Sequence, residues 1–225
     1  MKNVAFIIPV YNEGSVIKKV IEDVLKECKT VVCVNDGSRD NSLDEIKKTS
    51  ALYVDHPINM GQGAALQTGI EFARKLKGID YFVTFDADGQ HRISDVKDML
   101  STIRKEKVDM VLGSRFLGST VNMPKIKHFI LKLAIRFSNA TSGVKLTDTH
   151  NGLRVFNKHV ADTIQITIPD MAHASEILEI VKKNKYSYTE IPVTIEYSDY
   201  SRSKGQSVIN AINIAFDTLL RKVSK

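Results

Sequence analysis

The sequence predicts an α/β fold, a mostly parallel sheet with helices on both faces. Short apolar runs rich in β-branched residues alternate with stretches whose apolar positions recur every three or four residues, as in βαβ units. Polar clusters containing glycine follow directly after several of the runs, where strands of such sheets present their carboxyl ends. The chain has 225 residues, 43% hydrophobic and 26% charged, which suits one domain with a full core.

Residues 4–10, 30–35, 51–55, 81–86 and 110–114 are the expected strands of the first half, nearly free of polar residues as doubly buried strands are. Val16, Ile17, Val20, Ile21, Val24 and Leu25 set a helical period over 15–26, and the same spacing predicts helices over 43–48, 64–76 and 93–104. Gly61, Ala65 and Gly69 mark a helix packed close to the sheet. From Met110 to Thr147 there is no Asp or Glu, while Arg115, Lys125, Lys127, Lys132, Arg136 and Lys145 are all positive. Ile126, Phe129, Ile130, Leu133 and Phe137 form an apolar helical stripe within it, which suits either a membrane interface or an ordinary core-facing helix with a solvated basic back. A strand is expected over 189–197. In the tail that follows, Val208, Ile209, Ile212, Phe216, Leu219, Leu220 and Val223 fall on one helical face.

There are 32 Lys and Arg against 26 Asp and Glu, a net charge of +6. Nucleic acid, a membrane surface and a phosphate-bearing substrate all fit that balance, but no nucleic-acid motif or aromatic stacking cluster is present, so no nucleic-acid partner is expected. No apolar run reaches the roughly 18 residues of a membrane-spanning helix. The first strand runs straight into Tyr11-Asn12-Glu13 with no basic leader or small-residue cleavage site, so no signal peptide is expected. Cys28 and Cys33 are too few for a disulfide framework and are expected as packing residues in a reducing compartment.

Chemistry concentrates at the strand ends. The run Tyr81-Phe82-Val83-Thr84-Phe85 breaks into Asp86-Ala87-Asp88-Gly89-Gln90-His91. Extended alternation puts Asp86 and Asp88 on one side, and hard oxygens of this kind suit Mg²⁺ or Mn²⁺ whose shell substrate phosphates complete. Asp36, before Gly37-Ser38, ends the second strand, where it either binds a nucleotide or caps the next helix. Pro9-Val10-Tyr11-Asn12-Glu13 closes the first. A dinucleotide fingerprint fails because Leu66 stands where the third glycine is needed, and P-loop, H-E-x-x-H and G-x-S-x-G sequences are absent. A sugar nucleotidyltransferase needs a Gly- and Arg-rich loop where Tyr11-Asn12-Glu13-Gly14 stands.

Together with Val34-Asn35-Asp36-Gly37-Ser38, Asn59-Met60-Gly61 and Gly113-Ser114-Arg115-Phe116, these motifs resemble the family 2 glycosyltransferases. The likeness is greatest to their dolichol-phosphate (polyprenyl-phosphate) mannosyltransferase branch. It covers roughly the first 120 residues, with looser matches at Asp148, Gly152 and Arg154, at Ala174 to Leu178, and at Tyr197 to Gln206. The resemblance implies a GT-A fold over 1–200. The basic stretch 201–225 is then an amphipathic helix, part of the same domain or a membrane or partner docking element. It implies a nucleotide-diphosphate sugar donor, with Pro9, Tyr11, Asn12, Glu13, Val34 and Asp36 around base and ribose and Asp86, Ala87 and Asp88 at ribose and diphosphate. Asp88 and Gln90 would hold the metal, Arg115, Arg202 and Lys204 would lie by the sugar or its phosphates, and Arg136 with Arg202 and Lys204 would take the phosphate of a polyprenyl lipid. Ser198 stands where the branch has an arginine six residues before Lys204, which leaves the donor base and sugar open. Glu176 is the candidate general base for a hydroxyl acceptor; a helix N-terminal acid is its alternative role. His91, His173 and Asp148 are expected to be structural, with solvent exposure the alternative for the two histidines. The expected reaction is metal-dependent inverting transfer of a hexose, from a GDP-mannose or UDP-glucose type donor. The expected place is peripheral, at the cytoplasmic face of the membrane, directly or through a small membrane-spanning partner. A sugar hydroxyl acceptor and a non-catalytic nucleotide-sugar-binding module are the alternatives.

Overall fold

The computed structural model describes residues 1–123, 125–170, 172–197 and 200. Its elements are β1 (Val4–Val10), α1 (Ile17–Leu25), β2 (Thr30–Asp36), α2 (Ser42–Lys47), β3 (Leu52–His56), α3 (Gln62–Ala73), β4 (Tyr81–Thr84), α4 (Ile93–Glu106), β5 (Met110–Val121), α5 (Lys125–Ser142), β6 (Arg154–Asn157), α6 (Lys158–Thr163), α7 (His173–Asn184) and β7 (Tyr188–Glu196). The sheet order is β3-β2-β1-β4-β6-β5-β7. β1 pairs in parallel with β2 and β4, β2 with β3, and β5 with β7; the short β6 runs antiparallel to both its neighbours.

Alternation along each strand divides the core in two. Phe6, Ile8 and Val10 of β1 meet Ile17, Ile21 and Val24 of α1 and Met99 and Ile103 of α4 on one face, with Ile46 of α2. Ala5 and Ile7 meet Leu66 and Ile70 of α3, Val160 of α6 and Ile177 and Val181 of α7 on the other. Gly69 lets α3 sit close, since a Cβ there would lie 3.2 Å from Val34 Cγ2 and nearer still to Ile7. Cys28 and Cys33 are free and buried, and burial pushes both thiols up.

Several expectations change. β4 ends at Thr84 rather than Asp86, because the chain turns after Phe85 N donates to Ile7 O at 3.0 Å; Asp86 and Asp88 therefore share a turn rather than one side of a strand. β5 continues past Ser114 to Val121 with a register irregularity before Ser119, where Gly118 packs against the Val193 backbone. β6 and α6 carry too few residues to announce a period. Of the α5 stripe, for which the sequence leaves a membrane interface and a core-facing helix both open, Ile126 (69%), Phe129 (64%) and Leu133 (48%) are exposed while Ile130 and Phe137 are half-buried.

Candidate functional site

Sheet order reverses between β1 and β4: β2 and β3 build outward from one side of β1, and β4 lies on the other. A crevice opens beyond the carboxyl ends at such a point. The turns after β1, β2 and β4 border it. Asn12 takes a left-handed conformation, φ 54°, and its amide donates to Ser38 Oγ at 2.9 Å while its Oδ1 accepts from Arg39 N at 2.8 Å. Glu13 N donates to Ser42 Oγ at 2.7 Å and Gly14 N to Asp40 Oδ2 at 3.0 Å. The turns after β1 and β2 are thus one stitched unit, with Tyr11 exposed upon it and Pro9 half-buried beneath. Val34 is sealed in the sheet one row lower. Asp36 is buried as well, its carboxylate accepting from Met60 N at 2.9 Å, Gly61 N at 2.8 Å and His56 Nδ1 at 2.8 Å. It secures the loop after β3. From beyond β7, Tyr200 reaches the same edge and donates from its hydroxyl to Glu13 Oε2 at 2.7 Å.

The turn after β4 carries the charge. Asp86 Oδ2 accepts from His91 Nε2 at 2.8 Å, and Oδ1 from Gln62 Nε2 at 3.3 Å. Burial acts to raise Asp86, but the His91 bond and charge and the Arg154 charge hold it below the usual carboxylate range. Asp88, two residues on, is pushed up to about 6 by burial and by the negative charge of Asp86. Asp88 Oδ1 accepts from Gln90 N at 3.1 Å and Oδ2 from Gln90 Nε2 at 2.6 Å; Ala87 between the acids is buried. Like charges in one half-buried turn are relieved by a bound cation. Asp88 with the amide oxygen of Gln90 is a hard donor pair that fits Mg²⁺ or Mn²⁺, which keep waters and take substrate phosphates besides. No cluster of three or more His, Cys, Asp or Glu stands ready as a closed metal cage among the described residues. Glu196 N donates to Gln90 O at 3.0 Å, so β7 backs this turn.

Arg115 is buried, and its Nε and amide donate to Asp148 Oδ2 at 2.6 and 3.1 Å, Nη1 to the Tyr197 hydroxyl at 3.0 Å, and Nη2 to His150 O at 3.2 Å. Burial alone would lower its pKa, but Asp148 and Tyr197 raise it. Glu190 on β7 accepts from Thr147 N at 2.8 Å and Asp148 N at 3.1 Å, fixing the turn that carries Asp148. Arg154 on β6 is also buried; desolvation lowers it against the fields of Asp86 and Asp148, and its Nη1 has no partner among the described residues. Glu176, in the first turn of α7, accepts from Ile168 N at 2.9 Å and Thr167 N at 3.0 Å and from the Thr167 hydroxyl at 2.5 Å. That carboxylate braces the loop whose Pro169 O accepts from Gly63 N at 2.6 Å. Arg136 is exposed on α5. Arg202, Lys204 and the expected helix over 201–225 lie outside the described residues.

Several residues that hold the site's carboxylates in place carry no local signal of that role. His91 is buried rather than solvent-exposed and orients Asp86; five residues of spacing within one motif was the available signal. Gln62 from α3, Gly152 from the loop before β6, Arg154 from β6 and His173 from α7 converge on Asp86, and nothing in their local sequence links them.

Residues 5–165 match the model of glycosyl transferase family 2. The chain is 32% identical to the UDP-N-acetylglucosamine–dolichyl-phosphate N-acetylglucosaminyltransferase of Methanococcus voltae, over 100% of this chain and 98% of that one. It is 28% identical to the polyprenol monophosphomannose synthase of Mycolicibacterium smegmatis, over 88% of this chain and 79% of that one. Among solved structures, glucosyl-3-phosphoglycerate synthase from Mycobacterium tuberculosis with Mn²⁺ and UDP-glucose superposes with a TM-score of 0.74 at 13% identity, over 99% of this chain and 78% of that one. That last likeness concerns the fold.

Proposed function

This chain belongs to glycosyl transferase family 2 and has the GT-A fold, and from that premise we propose that it transfers a hexose from a nucleotide-diphosphate sugar to a polyprenyl or dolichyl phosphate, with inversion. The supporting observation is the crevice at the sheet's switch point, where the Asp86–Gln90 turn stands beside the stitched turns of Tyr11-Asn12-Glu13 and Gly37-Ser38. Tyr11 offers an exposed ring to a base. Pro9, Asn12, Glu13 and Val34 shape the cradle for base and ribose, and Asp36 holds the loop that closes it. Asp86, Ala87 and Asp88 face ribose and diphosphate. Asp88 and Gln90 would hold Mg²⁺ or Mn²⁺, which supplies charge neutralisation at the departing diphosphate.

An acceptor phosphate oxygen attacks the anomeric carbon as the bond to the diphosphate breaks, and the nucleoside diphosphate leaves. The acceptor is already anionic, so no strong general base is needed. Glu176 then serves through position, as the brace of the loop beside α3. A hydroxyl acceptor would instead require it as a base, and its hydrogen bonds to the 167–168 segment favour the first reading. Arg115 fixes Asp148 and Tyr197 next to the crevice; Arg202 and Lys204 are assigned to the phosphates and Arg136 to the lipid phosphate.

The acceptor class also accounts for α5. No helix among the described residues is long and apolar enough to cross a membrane. The outward Ile126, Phe129 and Leu133 lie on a helix that also carries the exposed Lys125, Lys132 and Arg136, a face suited to peripheral docking at the cytoplasmic membrane surface or on a small membrane-spanning partner. Each basic residue near anionic headgroups contributes about 1 kcal/mol. Flotation with anionic liposomes at low salt is expected to carry the protein; absence of binding refutes direct docking. For the donor, thermal unfolding is measured with UDP, GDP and their sugars, with and without Mn²⁺. A ligand at a hundred times its dissociation constant stabilises by about 2.7 kcal/mol. A metal-dependent shift with one nucleotide, lost in Asp88→Ala, is the expected result, and no shift with any of them overturns the reading.

A further inference from the structure

Around Asp86 several side-chain polar atoms have no partner among the described residues, one of them Nδ1 of His91, whose Nε2 donates to Asp86. His173, the first residue of α7, is 3% exposed. Its Nδ1 lies 2.7 Å from the carbonyl oxygen of Asp170. A carbonyl only accepts, so Nδ1 carries the proton and Nε2 presents a bare lone pair. No partner meets Nε2 among the described residues. Two buried donors, Arg154 Nη1 and Asn151 Nδ2, are likewise unpartnered among those residues.

Arg154 and His173 share one place, and Asn151 adjoins it in the chain. Asn151 precedes Gly152, which lies directly against the Asp86 carboxylate. Arg154 and His173 both act electrostatically on Asp86. Gly63 follows Gln62, the donor to Asp86 Oδ1, and a Cβ added at Gly63 would stand 2.9 Å from His173 Cβ. Burial and the Arg154 charge push His173 down to about 4, which keeps the ring neutral near pH 7.

The mixture selects the ligand's chemistry. A phosphate offers only acceptors and would oppose the lone pair at Nε2, whereas a hydroxyl both donates and accepts. Resting on the transfer reading, we infer that His173, with Arg154 and Asn151, selects the sugar of the donor, one ring hydroxyl donating to His173 Nε2 and a neighbouring one accepting from Arg154 or Asn151. His173 is then a specificity-determining residue, separate from the groups assigned to base, diphosphate and metal.

The test compares dissociation constants, by calorimetry on the full chain with Mn²⁺, for UDP-glucose, UDP-N-acetylglucosamine, GDP-mannose, UDP and GDP. His173→Asn keeps a nitrogen in the place of Nδ1 to donate to Asp170 O but leaves nothing at Nε2. His173→Gln reaches the place of Nε2 and restores an acceptor there. His173→Asn is expected to weaken the preferred nucleotide sugar about five- to tenfold, the value of one hydrogen bond, while binding the free diphosphate like wild type. His173→Gln is expected to recover part of the loss, and it carries the comparison if the Asn variant does not fold. An unchanged ratio of sugar nucleotide to free diphosphate in these variants overturns the inference and leaves the transfer reading intact. A wild-type protein that binds none of the five ligands overturns the transfer reading, and the inference with it.

Discussion

Replacing Gly152 by Ala tests whether the backbone before β6 sets the position of Asp86. A Cβ at residue 152 would lie 2.7 Å from Asp86 Cγ and 2.5 Å from Oδ1, where ordinary contact begins at 3.4 Å. The backbone cannot easily retreat, because Gly152 O accepts from the Thr84 hydroxyl at 2.6 Å on the adjoining strand. Nor is the carboxylate slack, with His91 at 2.8 Å and Gln62 at 3.3 Å. The carboxylate therefore swings away and loses the His91 bond, a charged hydrogen bond worth about 2 kcal/mol. For a chain of this size each kcal/mol lowers Tm by roughly 2–4 °C, so Gly152→Ala is expected to melt about 4–8 °C lower in scanning calorimetry. Because Asp86 and Asp88 share one short turn, its displacement is expected to weaken Mn²⁺-dependent stabilisation by a nucleoside diphosphate as well. A variant with wild-type Tm and wild-type Mn²⁺ dependence would show that the turn tolerates the methyl group, and the account of Asp86 would be wrong.

Asp148→Asn leaves Arg115 buried with its counter-charge removed; such half-pairs typically cost about 3–5 kcal/mol, read as a lower midpoint in urea, and a midpoint within error of wild type refutes the pairing as a structural element. His150 and His173 are held near 4 by burial, below the ordinary 6.5, so the unfolded chain takes up protons first as pH falls. Their stabilisation is complete above pH 6.5 and is lost on descending to pH 4, by up to about 3 kcal/mol each, so a urea titration series should show stability falling across that window, and less steeply in His150→Asn.

The class of fold and the edge at which chemistry gathers are legible in local patterning. The unbroken apolar runs of 4–10 and 30–35, buried on both faces, and the period-3.6 burial in 15–26 and 93–104 are local consequences of strand and helix geometry, so they were legible without the sheet. The Asp86-Ala87-Asp88-Gly89-Gln90 turn was legible for the same reason, as a polar break after a buried strand. How those groups are held is not legible there. β6 has four residues and earns its place only by pairing β4 and β5 in antiparallel sense. Arg115 reads locally as a cation free for a ligand, yet Asp148, His150 and Tyr197 consume it from 33, 35 and 82 residues away. Glu176 reads as an acid at a helix start and is spent on the 167–168 backbone. Ile126, Phe129 and Leu133 have the spacing of a core stripe, and only the packing of α5 turns them outward. Spacing reports which residues share a face of one element; which faces meet, and which donors are already satisfied, depends on contacts between elements far apart in the chain.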